Sequence, residues 1–455
     1  MKYMFLSLLV AMPFAGCVAT EDAADSASDP ANAIAPTVYK DIVDPLFEST
    51  AGAKAVALGD INGDGLMDVA SISSESQPVQ IHLRNADTGR FDQISIAGGG
   101  PLAVMEDVGL ADFNGDGKLD IAVLVNDTGL AVPQSWEEDK IAALVVLLQG
   151  PDPRNAADWT QVDSMNAYVL NPLCALDPPG ASACDMFMLS GTVGATDMEV
   201  ADFSNDGLGD VMVVCNRRTK PDNPAVKYVY LFISPGAALA ADQANWHRLV
   251  VTVDAPDLAR LASADIDEDG SLDAVLTMPT GKSYNISWLR NIANATLWDR
   301  VFLAQHQNGG NAIDVGDING DGHVDVAAGG AALNSVQWFK SPGPQWLTLS
   351  SPQVPWEVYN LVESQEGEID HVRLFDLNND GTLDCFVSAD GKAYDYYRGA
   401  DVEQIWTGAA MFGTDPYGEI GRVGFLDVNE AGFVDILAPI DREGVSQDQI
   451  VIFWR

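Results

Sequence analysis

The chain is built from short runs in which apolar and polar residues alternate, separated by turns rich in Asp, Asn and Gly. An alternating run at 53–58 is followed by a run rich in β-branched residues at 68–72, and a similar pair occurs at 311–315 and 324–328. A period of two over four to eight residues, bounded by turn formers, is typical of β-strands, and a helical period of 3.6 residues does not fit these runs. The pattern therefore predicts an all-β chain.

Seven copies of a nine-residue motif lie between the paired runs. The motif is D-x-[NDS]-x-D-G-x-x-D, which places oxygen-bearing side chains at positions 1, 3, 5 and 9 and a glycine at position 6. The copies, named loops one to seven, span residues 60–68, 112–120, 202–210, 265–273, 317–325, 376–384 and 427–435. Successive loops begin about 50 to 90 residues apart, and a period of this size indicates a repeat architecture.

A second signature follows each motif. About 20 residues after a loop begins, another short run ends in an aromatic or aliphatic residue, a basic residue and a turn. Such runs lie at 81–85, 287–291, 337–341, 395–399 and 452–455. A fourth run follows, often opened by a tryptophan: Trp159, Trp246, Trp298 and Trp346. Seven units of four antiparallel strands predict a seven-bladed β-propeller.

The two ends of the sequence fit a closed ring. The last unit stops at Arg455, after its third strand, and an unassigned strand-like segment lies at 36–43. We expect this N-terminal strand to pair with the last blade as its outer strand, because that pairing removes an open sheet edge. Residues 37–455 would then form one domain.

The motif carries the ligands that calcium prefers. Ca²⁺ takes six to eight oxygen ligands, and a loop that turns sharply at glycine brings that many around one point. An EF-hand is disfavoured because position 12 lacks the bidentate Glu and the flanking segments are strands. Metal-free turns built from Asp, Asn and Gly are the other alternative. Packed carboxylates repel one another, however, and a cation relieves that repulsion. We therefore predict about six structural calcium ions.

With these loops and this period, the chain resembles the FG-GAP or VCBS repeat family, known from the integrin α-subunit head and from bacterial surface proteins. The resemblance covers roughly residues 37–455. In the family, the loop joins the first and second strands of a blade, and its side chains bind Ca²⁺.

The resemblance implies metal ligands at positions 1, 3, 5 and 9 of loops one to six. These are Asp60, Asn62, Asp64 and Asp68; Asp112, Asn114, Asp116 and Asp120; Asp202, Ser204, Asp206 and Asp210; Asp265, Asp267, Asp269 and Asp273; Asp317, Asn319, Asp321 and Asp325; Asp376, Asn378, Asp380 and Asp384. Ser204 is a weaker third ligand than Asn or Asp. In loop seven, Ala431 replaces the central Asp, and we expect no tight calcium binding there.

The charge of the chain narrows its partners. It has 24 basic and 66 acidic residues, and a net charge of -42. Six divalent ions would leave it strongly acidic, which disfavours nucleic acid and anionic lipid surfaces as partners. We expect a monomer whose partner is a protein or a glycan.

The first 36 residues are interpreted as a targeting segment. A basic start, an apolar stretch at 3–12 and the sequence Phe14-Ala-Gly-Cys17 resemble a bacterial lipoprotein signal. Residues 1–16 would be removed and Cys17 lipidated, and the apolar stretch is too short to span a bilayer. Residues 17–36 are predicted to be a flexible acidic tether.

This signal predicts export and a lipid anchor in the bacterial cell envelope, at the outer membrane if the cell has one. The alternative is a plain secretory signal cut near Ala15. Export fits Cys174 and Cys184, which lie in a Pro/Gly-rich stretch and are predicted to form a disulfide. Cys215 and Cys385 are predicted to be buried free thiols.

No catalytic motif is present in the sequence. It has no G-x-S-x-G, no H-E-x-x-H and no phosphate-binding glycine loop, so we predict that the protein is not an enzyme. His82 is assigned to the place that Trp288 and Trp338 take in other units, where packing is its expected role. His306 and His371 precede inner strands and could reach the centre of the ring.

The partner surface is less well defined by the sequence. A long turn at 126–140 and an insertion at about 150–195 are the candidates, because elaborated loops on a rigid scaffold often carry function; tolerated decoration is the alternative. The leading hypothesis is a binding or adhesion module. The others are a lectin with sugars stacked on the strand-edge tryptophans, where packing between blades is the competing role, and a propeller enzyme acting on sugars or polysaccharide.

Overall fold

The structure is a computed structural model. It describes residues 53–74, 78–96, 104–127, 143–162, 195–217, 226–236, 239–242, 245–253, 260–280, 283–306, 312–330, 335–344, 356–363, 367–412, 419–428, 432, 434–441 and 449–453.

The described residues form seven antiparallel sheets, the blades of a propeller. Blades one to three contain β1 (Ala53–Gly59), β2 (Asp68–Ser73), β3 (Val79–Arg84) and β4 (Phe91–Ile96); β5 (Val104–Ala111), β6 (Asp120–Asp127), β7 (Ala143–Leu148) and β8 (Thr160–Val162); and β9 (Ala195–Ala201), β10 (Asp210–Arg217), β11 (Val226–Ile233) and β12 (His247–Val253). A short 3₁₀ helix, Ala156–Asp158, precedes β8.

The other four blades complete the ring. They contain β13 (Leu261–Ala264), β14 (Asp273–Thr280), β15 (Ser283–Asn291) and β16 (Trp298–His306); β17 (Ala312–Gly316), β18 (Asp325–Gly330), β19 (Ser335–Lys340) and β20 (Glu357–Val362); β21 (Ile369–Phe375), β22 (Asp384–Ala389), β23 (Lys392–Tyr397) and β24 (Thr407–Phe412); and β25 (Glu419–Ile420), β26 (Gly424–Leu426), β27 (Asp435–Asp441) and β28 (Gln449–Phe453).

The predicted seven-bladed, all-β architecture is confirmed. In blades one to six, four strands pair in sequence order, and each loop joins the first strand to the second. In blade seven, β25 and β26 both pair with β27, so its inner strand is interrupted, and β28 pairs with the other edge of β27. The segment at 36–43, expected as the outer strand of this blade, lies outside the described residues.

The ring closes between blades one and seven. The backbone N–H of Val56 donates to the carbonyl of Arg422 at 3.3 Å, and the N–H of Arg422 donates to that of Lys54 at 3.1 Å. The Arg84 guanidinium adds a hydrogen bond of 2.7 Å to the carbonyl of Val428 in loop seven. Inner strands therefore meet at this junction as they do between other neighbouring blades, where β1 contacts β5 and β5 contacts β9.

The core lies between the blades. All residues of β2, β18 and β22 are buried, because a second strand is covered by neighbouring blades on both faces. The residue at position 2 of a loop, such as Phe113 or Phe203, is also fully buried. Its ring packs against the tryptophan of the next blade: Phe113 and Trp246 have ring centroids 5.9 Å apart, and Phe203 and Trp298 6.1 Å. These tryptophans thus pack between blades.

Two positions differ from the sequence analysis. Strand pairing aligns Trp288 and Trp338 with Ile81, so His82 occupies the place of Leu289 and Phe339, one residue further on. The difference arises because residue counting along the chain does not fix strand register. In blade five, Trp356 directly precedes the fourth strand and is buried, whereas Trp346 lies outside the described residues.

Cys215 and Cys385 are buried free thiols, as predicted. Cys17, Cys174 and Cys184 lie outside the described residues, as do residues 163–194 of the long connection in blade two. Among the residues that the structure describes, no helix is long and apolar enough to cross a membrane.

Candidate metal centre

Loop one shows how the sequence pattern builds a cage of oxygen atoms. Asp60 accepts the backbone N–H of Asp64 on Oδ1 at 3.0 Å and that of Gly65 on Oδ2 at 2.9 Å. Asn62 Oδ1 accepts the N–H of Asp64 at 2.8 Å, and Asp64 Oδ1 accepts that of Leu66 at 2.9 Å. Each side chain at positions 1, 3 and 5 is therefore fixed by the loop's own backbone, and each accepting oxygen keeps a lone pair.

The same geometry recurs around the ring. The glycine at position 6 donates to the aspartate at position 1 in all seven loops, at 2.7–2.9 Å. This glycine has a positive φ in every loop, from 82° to 91°. Position 4 is left-handed as well in loops one to six, where Gly63, Gly115, Asn205, Glu268, Gly320 and Asn379 stand. The two left-handed residues curl the chain around one point, which requires glycine at position 6.

The aspartate at position 9 differs from the other ligand positions because it is fully buried. Asp68 Oδ2 accepts the N–H of Ile61 at 3.0 Å, and Oδ1 accepts that of Arg84, at the end of the third strand, at 2.7 Å. Its counterparts Asp120 and Asp325 make the two equivalent bonds: each accepts the N–H of position 2 of its own loop and the N–H of a residue where the third strand ends. Position 9 thus ties the loop to the third strand of its own blade.

Burial makes these aspartates hard to ionise. It raises the pKa of Asp68 to about 6, that of Asp120, Asp210, Asp325 and Asp384 to about 7, and that of Asp273 to about 8. Neighbouring loop aspartates raise it further, for example Asp64 beside Asp68. A divalent cation in the loop would supply the positive charge that the ionised form requires.

Loop four gives the clearest fit to a metal ion. Carboxylate oxygens of Asp265, Asp267 and Asp269 lie within 4.8 Å of one another, and Asp273 is not part of this group. Asp267 Oδ1 is buried without a hydrogen bond, although the other oxygen accepts from Arg290 Nε at 2.6 Å. A buried carboxylate oxygen without a donor is costly, and a calcium ion held by these three residues would satisfy it.

The structure therefore brings the residues at positions 1 and 5 together in each of loops one to six. The residue at position 3 joins them in loops one, two, four, five and six. It places position 9 beneath them, bonded to the backbone. Loop seven keeps the bonds from Gly432 to Asp427 and from Val428 to Asp435, while Ala431 lies outside the described residues. The calcium ions themselves remain a prediction.

Sequence reasoning missed a set of side chains that join neighbouring loops, here named the latch residues: Arg84, Gln149, Ser234, Asn291 and Arg398. Each lies at or directly after the end of a third strand, and its N–H donates to the position 9 aspartate of its own loop. Its side chain donates to a carbonyl at position 2 or 3 of the preceding loop. A polar residue where the third strand ends was the available signal, but its chemical type varies, and so does its distance from the position 9 aspartate, from 14 to 29 residues.

A second polar cluster lines the central channel, a cavity of about 3480 Å³. Arg422 of blade seven reaches past blade one, placing Nη1 2.7 Å from Asp107 Oδ2 of blade two and Nη2 3.5 Å from Glu199 Oε2 of blade three. Arg260 pairs with Asp197 at 3.8 Å, and Arg373 with Asp314 at 3.5 Å. Each of these arginines therefore has a carboxylate partner in the channel wall.

His371, on the wall of the same channel, is neutral at physiological pH. Burial lowers its pKa to about 3, and the nearby cations Arg260, Lys54, Arg422 and Arg373 lower it further. Burial raises the pKa of Asp197 in this cluster to about 7.

Three solved structures align with the chain at low sequence identity. The structure titled "BBS1N in complex with ARL6DN, soaked with lead" has 10% identity and a TM-score of 0.49, over 90% of this chain and 94% of that chain. The major Malassezia sympodialis allergen Mala s 1 has 9% identity and a TM-score of 0.39, over 68% of this chain and 86% of that chain. The Dos1 propeller has 12% identity and a TM-score of 0.41, over 88% of this chain and 92% of that chain. Nothing about a ligand follows from these likenesses.

No curated protein shows significant sequence similarity to the chain. The family model of the FG-GAP-like repeat matches residues 60–123 and 264–328. These two stretches hold loops one, two, four and five. The chain is therefore a seven-bladed β-propeller that contains FG-GAP-like repeats.

Proposed function

We propose that this protein is a calcium-stabilised binding module of the bacterial cell envelope that recognises a protein or a glycan and catalyses no reaction. A propeller with FG-GAP-like repeats fits a binding or adhesion module. Calcium is supported above all by Asp267, whose buried Oδ1 has no hydrogen bond although two more carboxylates lie within 4.8 Å. In each of loops one to six the aspartate at position 1 accepts the N–H groups of positions 5 and 6, which extends the argument around the ring.

Thermal unfolding of the chain from residue 18, with calcium and with EGTA, tests the metal. An ion that binds only the folded state must raise the melting temperature. We expect a large rise with calcium, and calorimetric titration should count about six ions. An unchanged melting temperature would remove calcium from the proposal.

Export and anchoring are proposed from the first 36 residues alone. Replacing Cys17 by Ser in the producing cell should move the protein from the membrane fraction to a soluble fraction, because the lipid would be its only attachment. A Cys17→Ser variant that stays with the membrane would contradict the lipid anchor and leave the metal proposal untouched.

Two observations guide the search for the ligand. Trp246, Trp288 and Trp338 are buried, so the structure offers no support for sugars stacked on these residues. Among the described residues that line the channel, His371 is the only histidine. Burial and nearby cations lower its pKa to about 3, far from the value near the working pH that favours general acid–base catalysis.

We propose the long connection of blade two as the partner surface. Replacing residues 163–194 by a short Gly/Ser linker should abolish binding to the ligand found by screening glycans and envelope proteins, while calcium-dependent melting is kept. Binding that survives this replacement would exclude the connection.

A further inference from the structure

A chain of hydrogen bonds runs from loop to loop through the latch residues. Asp120 Oδ1 of loop two accepts the backbone N–H of Gln149 at 2.7 Å. The Gln149 side-chain amide donates at 2.8 Å to the carbonyl of Ile61 in loop one and at 2.9 Å to that of Leu119 in its own loop. The N–H of Ile61 donates at 3.0 Å to Asp68 Oδ2, the position 9 aspartate of loop one. Two predicted metal ligands are thus joined through one buried glutamine.

An equivalent connection joins loops two and three and loops three and four. In loop three, the N–H of Ser204, instead of that of Phe203, donates to the position 9 aspartate Asp210, at 2.8 Å. In the direction of loop three, Asp210 accepts the N–H of Ser234, whose hydroxyl donates to the carbonyl of Phe113 in loop two. From loop four, Asp273 accepts the N–H of Asn291, whose amide donates to the carbonyl of Phe203 in loop three at 2.7 Å.

The chain of hydrogen bonds then crosses the closure of the ring. Asp68 Oδ1 accepts the N–H of Arg84, and the Arg84 guanidinium donates to the carbonyl of Val428 in loop seven. The N–H of Val428 donates to Asp435 at 2.9 Å. The path is therefore continuous from blade four through blades three, two and one to blade seven.

We propose that the latch residues couple the calcium sites of neighbouring loops, so that filling one loop increases the affinity of the loop before it in the chain. The inference rests on the proposed calcium binding. An ion in loop two fixes Asp120, which fixes the latch residue Gln149. Gln149 then holds the peptide between Ile61 and Asn62 in the position that the next ion needs. Loop one has then lost conformational entropy before its own ion binds, so this ion binds with higher affinity. The two sites are therefore positively coupled.

Two simpler arrangements give different results. Independent loops would show no coupling, and repulsion between neighbouring divalent ions would lower the affinity of the second site. Positive coupling between two calcium sites that is lost when a latch side chain is removed is expected only if the chain of hydrogen bonds carries it.

The test uses the full chain labelled with isotope-enriched glycine, because the position 6 glycine of each loop reports its own site by NMR. Gly65 reports loop one and Gly117 loop two, since each donates to the aspartate at position 1. Asp116→Ala empties loop two; loop seven already has alanine at this position, so the ring accepts it. We expect this change to raise the calcium concentration at the Gly65 midpoint by about fivefold or more.

Gln149→Met keeps the backbone N–H that binds Asp120 but removes the latch. In this background, emptying loop two should move the Gly65 midpoint by less than about twofold. Gln93→Met is the matched control, because the Gln93 amide bonds only to Gln80 on the outer part of blade one. In the control the full coupling should remain.

A second pair of variants, in loops two and three, keeps the test possible if the Gln149 variant does not fold. Ser234→Ala is a small change, and Asp206→Ala empties loop three with Gly117 as reporter. An unmoved midpoint in the wild type, or coupling that survives both latch variants, overturns the inference while calcium binding stands. If no glycine signal responds to calcium, the proposed function fails first.

Discussion

At the residue scale, the position of a carboxylate decides its role. Aspartates at positions 1 and 5 lie at the exposed end of the loop, whereas the aspartate at position 9 is buried and bonded to backbone N–H groups of its own loop and of the third strand. Loop four adds a basic residue, since Arg290 already occupies one oxygen of Asp267. Aspartates of the same nine-residue loop therefore lie in different electrostatic environments.

Arg290 is predicted to compete with calcium for Asp267. In Arg290→Gln the buried carboxylate loses a charge-assisted hydrogen bond worth roughly 1–2 kcal/mol, and this loss falls mainly on the metal-free state. The calcium midpoint read at Gly270 should drop by about fivefold or more. Arg90→Gln, in an exposed turn of blade one, should leave it unchanged. A weaker site in Arg290→Gln would show that the arginine supports the metal.

His82 is predicted to make the fold sensitive to acid. Burial lowers the pKa of the folded imidazole to about 3, while the unfolded value is about 6.5. The stability that the neutral ring contributes is therefore complete above about pH 6.5 and is lost as the pH falls toward 3, because only the unfolded chain takes up the proton.

Urea unfolding at pH 7 and pH 5 measures this effect. His82→Leu should lose about 2 kcal/mol less than the wild type between the two values. Leucine is chosen because Leu289 occupies the same place in blade four. His247→Gln, at an exposed position, should keep the wild-type loss. An equal loss in His82→Leu would mean that the buried imidazole does not set the acid response.

At the scale of elements, the strands and loops could be predicted because their signals are local. Alternation gives the strands, and the nine-residue motif gives the turn and its oxygens. Position 4 also carried a signal, since Gly63, Gly115 and Asn205 are residue types that accept a positive φ. The latch residues could not be predicted, because Gln149, Ser234 and Asn291 share only a hydrogen-bond donor. Their partners lie 88 or more residues away in sequence.

The position 6 glycine is predicted to be required for backbone reasons alone. Gly65 has φ +87°, and a Cβ there would meet no atom within 4 Å. Gly65→Ala should cost about 1–2 kcal/mol, the penalty of a left-handed alanine, and weaken calcium binding at loop one. Gly399 is the control, since it has open space and no positive φ; Gly399→Ala should stay within about 0.5 kcal/mol. Denaturant titrations in which the two variants unfold alike would exclude the backbone explanation.

At the scale of the whole molecule, the number of blades followed from the repeat, but the network in the channel did not. Asp107, Glu199 and Arg422 look like ordinary polar positions of alternating strands. Only closure of the ring brings Arg422 across to blades two and three, 315 and 224 residues away in sequence from Asp107 and Met198. The sequence period predicts the strands of each blade, but it does not predict which side chains meet in the central channel.

Arg422 is predicted to stabilise the ring by joining blade seven to blades two and three, which are not its direct neighbours in the ring. Arg422→Gln leaves the buried Asp107 carboxylate without its cation, and removing one partner of such a pair costs about 3–5 kcal/mol. Adding Asp107→Asn should recover part of this loss, which measures the coupling between the two residues.

Lys54→Gln is the matched control, since the Lys54–Glu106 pair is 3.5 Å apart and the lysine side chain is 36% exposed. It should cost less than about 1 kcal/mol. Urea unfolding of Arg422→Gln, Asp107→Asn, the double variant and Lys54→Gln gives the comparison. If Arg422→Gln is as mild as the control, the arginine does not hold the ring together.

The direction of the strands separates the two faces of the ring. Each inner strand runs toward its loop, and antiparallel pairing brings every second strand back. Connections between second and third strands, and between one blade and the next, therefore leave from the face opposite the loops. The chain departs from that face at Asp127 and at Val162, where the two longest connections of blade two begin. Lineages could thus lengthen or replace these connections, and with them change the ligand, without altering any residue of the calcium loops.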